Sequence, residues 1–180
     1  MRHLDFEYEL LDTGVFDDNR YFDVAVEYAK AAPNDILARI TVTNRGPETA
    51  DCFILPSLWF RNTWTWGDDL ERPQMTKAED SDGHAWAVQA DHPVLGRYHL
   101  YGAQRAETLF SDNESNAERL WGAPNPSPYV KDAFHRRIVG AELGAVNPVG
   151  RGTKFGAWSQ WRVEPGHRVR LDLVLSRDAR

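Results

Sequence analysis

The chain predicts an all-β fold, an antiparallel two-sheet β-sandwich, and three observations carry that prediction. Apolar residues recur at every second position in most of its ordered-looking segments, the period of a half-buried strand. Turn residues punctuate those segments at short intervals, as sandwiches require. No segment of ordinary helix length shows a 3.6-residue apolar period; residues 116–120 offer one turn at most. With 180 residues, 42% hydrophobic and 12% aromatic, the chain reads as a single domain over 1–180 with enough apolar material for a core.

The elements follow in order. Leu4, Phe6, Tyr8 and Leu10 alternate with acidic residues, and Phe22, Val24, Val26 and Tyr28 alternate likewise, so strands are predicted at 4–10 and 22–28. Residues 36–44 form another, with Ile36, Ala38, Ile40 and Val42 on one face, closed by turn residues around Gly46 and Pro47. Residues 52–65 read as one long strand bent near Pro56, which cannot donate to a ladder. Further strands are predicted at 85–89, 97–102, 108–110, 136–139, 154–163 and 169–175, the last two joined as a hairpin across Glu164, Pro165, Gly166 and His167. Two long loops remain. Residues 67–82 are polar and acidic, and residues 122–132 hold Pro124, Pro126 and Pro128; long loops on β scaffolds often carry function.

Charge and composition exclude several classes. The net charge is −6, against the basic face that nucleic-acid binding needs. Residues 1–82 hold 17 acidic and 8 basic side chains, and residues 83–180 hold 10 and 13; either the two halves complement one another within one sandwich, or an acidic edge faces a partner. No apolar run reaches spanning length, so no membrane segment is predicted. A charged N-terminus and a lone Cys52 point to the cytoplasm. Cys52 opens an apolar strand and reads as a small buried hydrophobe. The six histidines have no ligand spacing, so no metal is expected, and no glycine-rich phosphate loop implies a cofactor.

The densest chemistry lies in LPSLWFRNTWTWG at 55–67. Indole faces stack on sugar rings, and Arg and Asn supply fixed donors and acceptors for hydroxyls. On a regular strand, Asn62, Trp64 and Trp66 would share one face with Leu58 and Phe60, and Trp59 and Arg61 would share the other. A packed β-core uses the same aromatics, so core and binding face both stand as readings. Glu114, Asn116 and Arg119 give a second polar cluster, and Tyr129 and Lys131 follow the proline-stiffened loop; the plain alternative for each is a solvated loop. These ten residues are the candidate substrate-binding set. No catalytic residue is assigned. The acidic pairs Asp17/Asp18, Asp68/Asp69 and Glu79/Asp80 are sequence neighbours, and glycoside hydrolysis needs two carboxyls flanking one bond.

That segment, with YELLDTGVFDD at 8–18, YFDVAVEYAK at 21–30, ITVTNRGP at 40–47, FSDNESNAER at 110–119, PSPYVKD at 126–132 and AVNP at 145–148, resembles the β-domain of bacterial glucosidases related to processing α-glucosidase I, glycoside hydrolase family 63. The resemblance runs from about residue 6 to about 175. It implies a supersandwich-like domain, incomplete in strands. It also implies a non-catalytic role: binding glucose-containing carbohydrate or docking the (α/α)-barrel that holds the family's catalytic carboxylates, to which nothing here corresponds. A sandwich short of strands exposes an edge and part of its apolar face, to be covered by the barrel-bearing polypeptide or by a second copy in a homodimer. Two other readings remain: a structural, self-associating fragment without ligand, and an enzyme like the sugar epimerases that supersandwich folds host, which needs a histidine and a carboxylate in one cleft.

Overall fold

The computed structural model describes residues 7–67, 71–79 and 83–179. Two antiparallel sheets face each other, and helix is confined to short segments. In chain order the elements are β1 (Phe22–Ala32), β2 (Asp35–Asn44), β3 (Ala50–Ile54), β4 (Ser57–Trp59), β5 (Gln74–Ala78), β6 (Trp86–His92), β7 (Gly96–Gly102), β8 (Glu107–Ser111), α1 (Ala117–Trp121), α2 (Ala133–Ile138), β9 (Arg151–Gly152), β10 (Lys154–Val163) and β11 (Arg168–Ser176). The large sheet has the order β1-β2-β11-β7-β6-β5-β9. In the small sheet, β3 and β4 lie end to end along one edge of β10, and β8 lies along the other.

The period-two pattern explains the core. Met75, Val88, Leu100 and Leu173 point from the large sheet onto Phe110, Phe155 and Ala157 of the small one. The Phe155 ring sits 5.4 Å from Trp86 and 5.2 Å from Phe110. Burying each such phenylalanine is worth about 2–3 kcal/mol. A second cluster, Val42, Ile54 and Leu171, closes the other end, with Cys52 packed against it; burial pushes the Cys52 thiol up from its ordinary value. The small sheet is covered on its far side as well. Leu109 packs with Ala133 and Phe134 of α2, so neighbouring residues of β8, Leu109 and Phe110, are both buried.

Five expectations change. The strand at 4–10 lies outside the described residues up to Phe6; beyond it, Leu10–Thr13 is a 3₁₀ turn. The Asp12 carboxylate takes the Glu9 N–H, and Gly14 ends the turn at φ 69°. The segment predicted as one strand over 52–65 breaks at Pro56 and ends at Trp59. The polar loop 67–82 contains β5, whose one large inward residue, Met75, is fully buried. The strand predicted at 136–139 belongs to α2: Phe134 and Ile138, four apart, both pack into the cluster under that helix. Finally, β10 and β11 are not a hairpin, since they belong to different sheets. Buried Asn44 organises that crossing. Its Nδ2 donates to Val163 O and Glu48 O, its N–H donates to His167 O, and its carbonyl accepts from Gly166 N–H.

One region of the large sheet lacks a cover. Val24, Val26 and Tyr28 of β1 stand opposite Val42, Ile40 and Ala38 of β2, so they point to the core-facing side. They are nonetheless 61%, 47% and 75% exposed, because the small sheet stops short of β1.

Two outcomes follow from this packing. A Cβ on Gly102 would lie 2.1 Å from the Trp86 indole that covers it, so Gly102→Ala is expected to lower unfolding stability by about 1–3 kcal/mol, measured by urea denaturation. His99 is buried, and that burial, followed by neighbouring Arg97, holds its imidazole below the ordinary value of 6.5. The neutral form is favoured in the fold, so this stability is present above pH 6.5 and is lost as pH falls below it. Melting temperature recorded from pH 7.5 to 5 should fall less in His99→Gln than in the parent.

Candidate functional site

Strands β4 and β8 both run antiparallel to β10, so their C-terminal ends emerge together beside its first residue. Buried Thr153 holds the two arms at that point. Its carbonyl accepts from Phe60 N–H at 3.2 Å and its Oγ1 from Asn113 N–H at 2.8 Å. Asn113 Nδ2 donates to Phe60 O, and Asn62 Nδ2 to Asn113 O. The residue before Thr153 must be glycine for steric reasons: a Cβ at Gly152 would lie 2.2 Å from Ser111 O.

This junction builds a charged cluster. Glu114, only 7% exposed, accepts at Oε1 from Trp64 Nε1 at 2.8 Å and from Arg72 Nη2 at 2.9 Å. The same guanidinium nitrogen lies 2.8 Å from Asp112 Oδ1, and the guanidinium sits 5.7 Å from the Trp64 ring centre. Arg72 is thereby fixed by two carboxylates and an aromatic face. The Pro-stiffened loop ties in through its backbone: Asp112 N–H donates to Tyr129 O, and Lys131 N–H to Glu114 O. Lys154 Nζ reaches Lys131 O at 2.9 Å; burial, then Lys131, holds this amine below its ordinary value.

In front of Arg72 opens a cleft of about 800 Å³, lined among others by Arg72, Asp112, Tyr129, His92, Arg97 and Arg151. Its acidic residues, Glu71, Asp91 and Asp112, match its three arginines in number. Burial pushes the Asp91 carboxyl up, but hydrogen bonds from Arg97 and Gln89 outweigh this and hold it below the usual carboxylate value. His92 Nδ1 accepts from Val94 and Leu95 N–H at 3.1 and 3.2 Å, so its ring proton is on Nε2. The Phe60 ring packs 5.3 Å from this imidazole.

Of the sequence-predicted residues, Asn62, Trp64, Glu114 and Lys131 gather at the junction behind the cleft, and Tyr129 lines the cleft itself. Asn116 and Arg119 lie in a neighbouring groove of about 730 Å³, held to Asp132 at 3.1 and 3.5 Å; Ser127 borders both depressions. Arg61 stacks on Trp66 at 5.0 Å rather than on Trp59. Trp59 is 58% exposed and stands opposite Lys154 in the ladder. The predicted two-face alternation fails because the strand ends at Trp59 and a turn follows. Sequence reasoning missed Arg72, Arg97, Arg151 and His92 as site residues. Arg72 is one of two basic residues, with Lys77, in an acidic loop, and only the fold brings the others beside it. Among the described residues no grouping of His, Cys, Asp and Glu could hold a metal ion, and no helix is long and apolar enough to cross a membrane.

No family model matches the chain. It is 30% identical over 187 aligned residues to YMR196W of Saccharomyces cerevisiae, a protein named as uncharacterized. That alignment takes in 89% of this chain, which spans 17% of the relative's length. Among solved structures it is similar to a candidate aldose 1-epimerase of Escherichia coli K12, at 10% identity over 89% of this chain and 62% of that one, with a TM-score of 0.39.

Replacing Arg72 should expose its structural role. Arg72→Ala leaves buried Glu114 with the Trp64 indole as its remaining side-chain donor. A loss of about 1–3 kcal/mol in stability is expected, with a shift in tryptophan emission. Pairing Arg72→Ala with Glu114→Gln should recover part of that loss, measured by denaturant titration.

Proposed function

We propose that this chain is a non-catalytic, carbohydrate-binding β-domain that works within a longer polypeptide of the glucosidase class related to processing α-glucosidase I, with the cleft in front of Arg72 as its sugar site. The observation that carries the reading is the makeup of that cleft: about 800 Å³, three arginines against three carboxylates, and the Tyr129 side chain. Its size is within the usual range for small-ligand sites, about 300–1,000 Å³. Hydroxyls of a neutral sugar both donate and accept, so they suit walls on which guanidinium and carboxylate alternate. A strongly charged ligand would have to break the Arg97–Asp91 and Arg72–Asp112 pairs. The 30% identity to a relative about six times as long supports a unit embedded in a larger protein. It leaves that protein's activity and substrate as proposals, glucose-containing glycans being the first to test.

A second reading is favoured by one observation. His92, with its proton fixed on Nε2, lines the same cleft as Asp91 and Asp112, and a histidine beside a carboxylate is what a sugar epimerase uses for proton transfer.

Titration with glucose, maltose and longer glucose oligosaccharides, followed by calorimetry, tests the first reading. Saturable binding is expected, weakened about tenfold or more by Arg151→Ala or Tyr129→Phe, with no hydrolysis of α-glucosides. Absence of binding to every neutral sugar overturns it. Polarimetry on freshly dissolved glucose separates the second reading: accelerated mutarotation lost in His92→Ala would establish the enzyme.

A further inference from the structure

The outer edge of β1 is undefended. Natural sheets blunt such edges with proline, bulges or charge pointing into the partner's path. β1 is 11 residues long and contains no proline, and its register is irregular only at Lys30/Ala32. Among the described residues no strand pairs with its outer side. Of its charged side chains, Asp23 is paired with Arg45, Glu27 stands opposite Arg39, and Lys30 lies at the irregular far end of the strand, away from the Val24–Tyr28 strip.

The hydrogen-bond phase of that edge can be read directly. Arg45 N–H donates to Tyr21 O, so the pair before Phe22↔Asn44 is a bonded one. Asn44 N–H turns away from β1 to His167 O. Antiparallel ladders alternate bonded and non-bonded pairs, so Asp23, Ala25, Glu27 and Ala29 bond to β2. The N–H and C=O groups of Phe22, Val24, Val26, Tyr28 and Lys30 point outward. The side chains of Val24, Val26 and Tyr28 form the uncovered apolar strip on the core-facing side of the sheet. One edge thus offers a bonding ladder and an apolar strip to the same partner.

We propose that the partner is a second copy of this chain, with β1 pairing antiparallel to β1 of its twin about a two-fold axis through Val26. Charge and length of overlap select this register: a centre on Val24 would run out of strand at Phe22. Centring the axis on Ala25 would set Asp23 against Glu27 of the other copy, and centring it on Glu27 would set two glutamates face to face. Centring it on Val26 sets Ala25 against Glu27, Asp23 against Ala29, Val24 against Tyr28 and Val26 against itself, with no like charges directly opposite. A centre on Tyr28 runs the overlap into the irregularity at Lys30/Ala32 and toward Pro33. The Val26 register joins the two large sheets into one continuous sheet and brings both apolar strips together across the axis, an isologous contact. This surface is remote in sequence from the residues of the cleft, so its test is independent of the sugar reading.

Sedimentation of the purified chain at micromolar concentration should give twice the 20.5 kDa chain mass. Val26→Lys places two like charges across the axis and should weaken association at least about tenfold. Val26 is half-exposed, so the circular dichroism spectrum and melting transition should be kept. In a Cys52→Ala background, Ala25→Cys mixed with Glu27→Cys should form a disulfide-linked dimer under mild oxidation, since these residues face each other as a non-hydrogen-bonded pair with Cα atoms about 4.5 Å apart. Ala25→Cys alone should not, because two residues 25 stand diagonal and not opposite in this register. A monomeric parent chain, a dimer indifferent to Val26→Lys, or crosslinking of Ala25→Cys alone as efficient as that of the mixture would each overturn the proposal.

Discussion

The chain passes from one sheet to the other at Gly152 and Thr153, and most of the architecture depends on that step. Gly152 pairs with Met75 in the large sheet, and two residues later Lys154 pairs with Trp59 and Ser111 in the small one. The passage is only as wide as a backbone, since any side chain at Gly152 would collide with the Ser111 carbonyl. It starts β10, the strand hydrogen-bonded on both edges, and β10 in turn orders β3, β4 and β8. Because β4 and β8 run toward the passage, the loops that follow them are delivered to the same end of the sandwich. Thr153 then ties Phe60 and Asn113 together. The site is therefore a consequence of the crossover and not an addition to a finished scaffold.

The two sheets are unequal in width, and this divides the molecule into two ends. Where the small sheet lies under β5, β6 and β7, both layers are filled by large side chains such as Phe110, Phe155 and Trp86. There the loops are held by buried polar contacts. Toward β1 the small sheet runs out, and apolar residues of the same patterning remain in contact with solvent. Similar local chemistry, aliphatic residues alternating along an extended strand, thus yields core at Val42 of β2 and surface at Val24 and Val26 of β1. Apolar patches of this kind are uncommon on monomers, which is why the uncovered end is a place to look for a partner.

Much of the fold was legible because burial on one face leaves a period-two imprint. β1, β2 and β11 each carry it over seven residues, Phe22 to Tyr28, Ile36 to Val42 and Val169 to Leu175. β5 left almost none, since Met75 is its one large inward residue and Gln74, Thr76 and Lys77 read as loop. At α2 the short run Arg136 to Val139 ends in two β-branched residues, a strand preference, while the informative spacing, Phe134 to Ile138, crosses its boundary. Sheet membership was not legible at all for β10 and β11. The compact turn between them suggested a hairpin, but Asn44, 119 residues away from Val163, decides where that turn leads. The site divides in the same manner. Trp64, Glu114 and Tyr129 stood out by residue type, but Arg72, Arg97 and Arg151 acquire meaning only when the large sheet brings residues 72, 97 and 151 to one rim.

The role of Trp64 shows how residue type and place combine. An indole in a run of aromatics and amides invites a reading as a stacking platform. Here its N–H is used on Glu114, and its face backs the guanidinium of Arg72. The indole is thus one layer behind the cleft, and it constrains the cleft by fixing the cation at its wall. Arg72 also contacts Asp112, so its positive charge is already compensated by two carboxylates before any ligand arrives. A wall of matched, immobilised pairs does not attract ions over a distance, because its field cancels within a few ångströms. It does offer donors and acceptors at fixed spacing. Ligands gain from such a wall by bridging its pairs, which rewards several hydroxyls on a rigid ring more than a single formal charge.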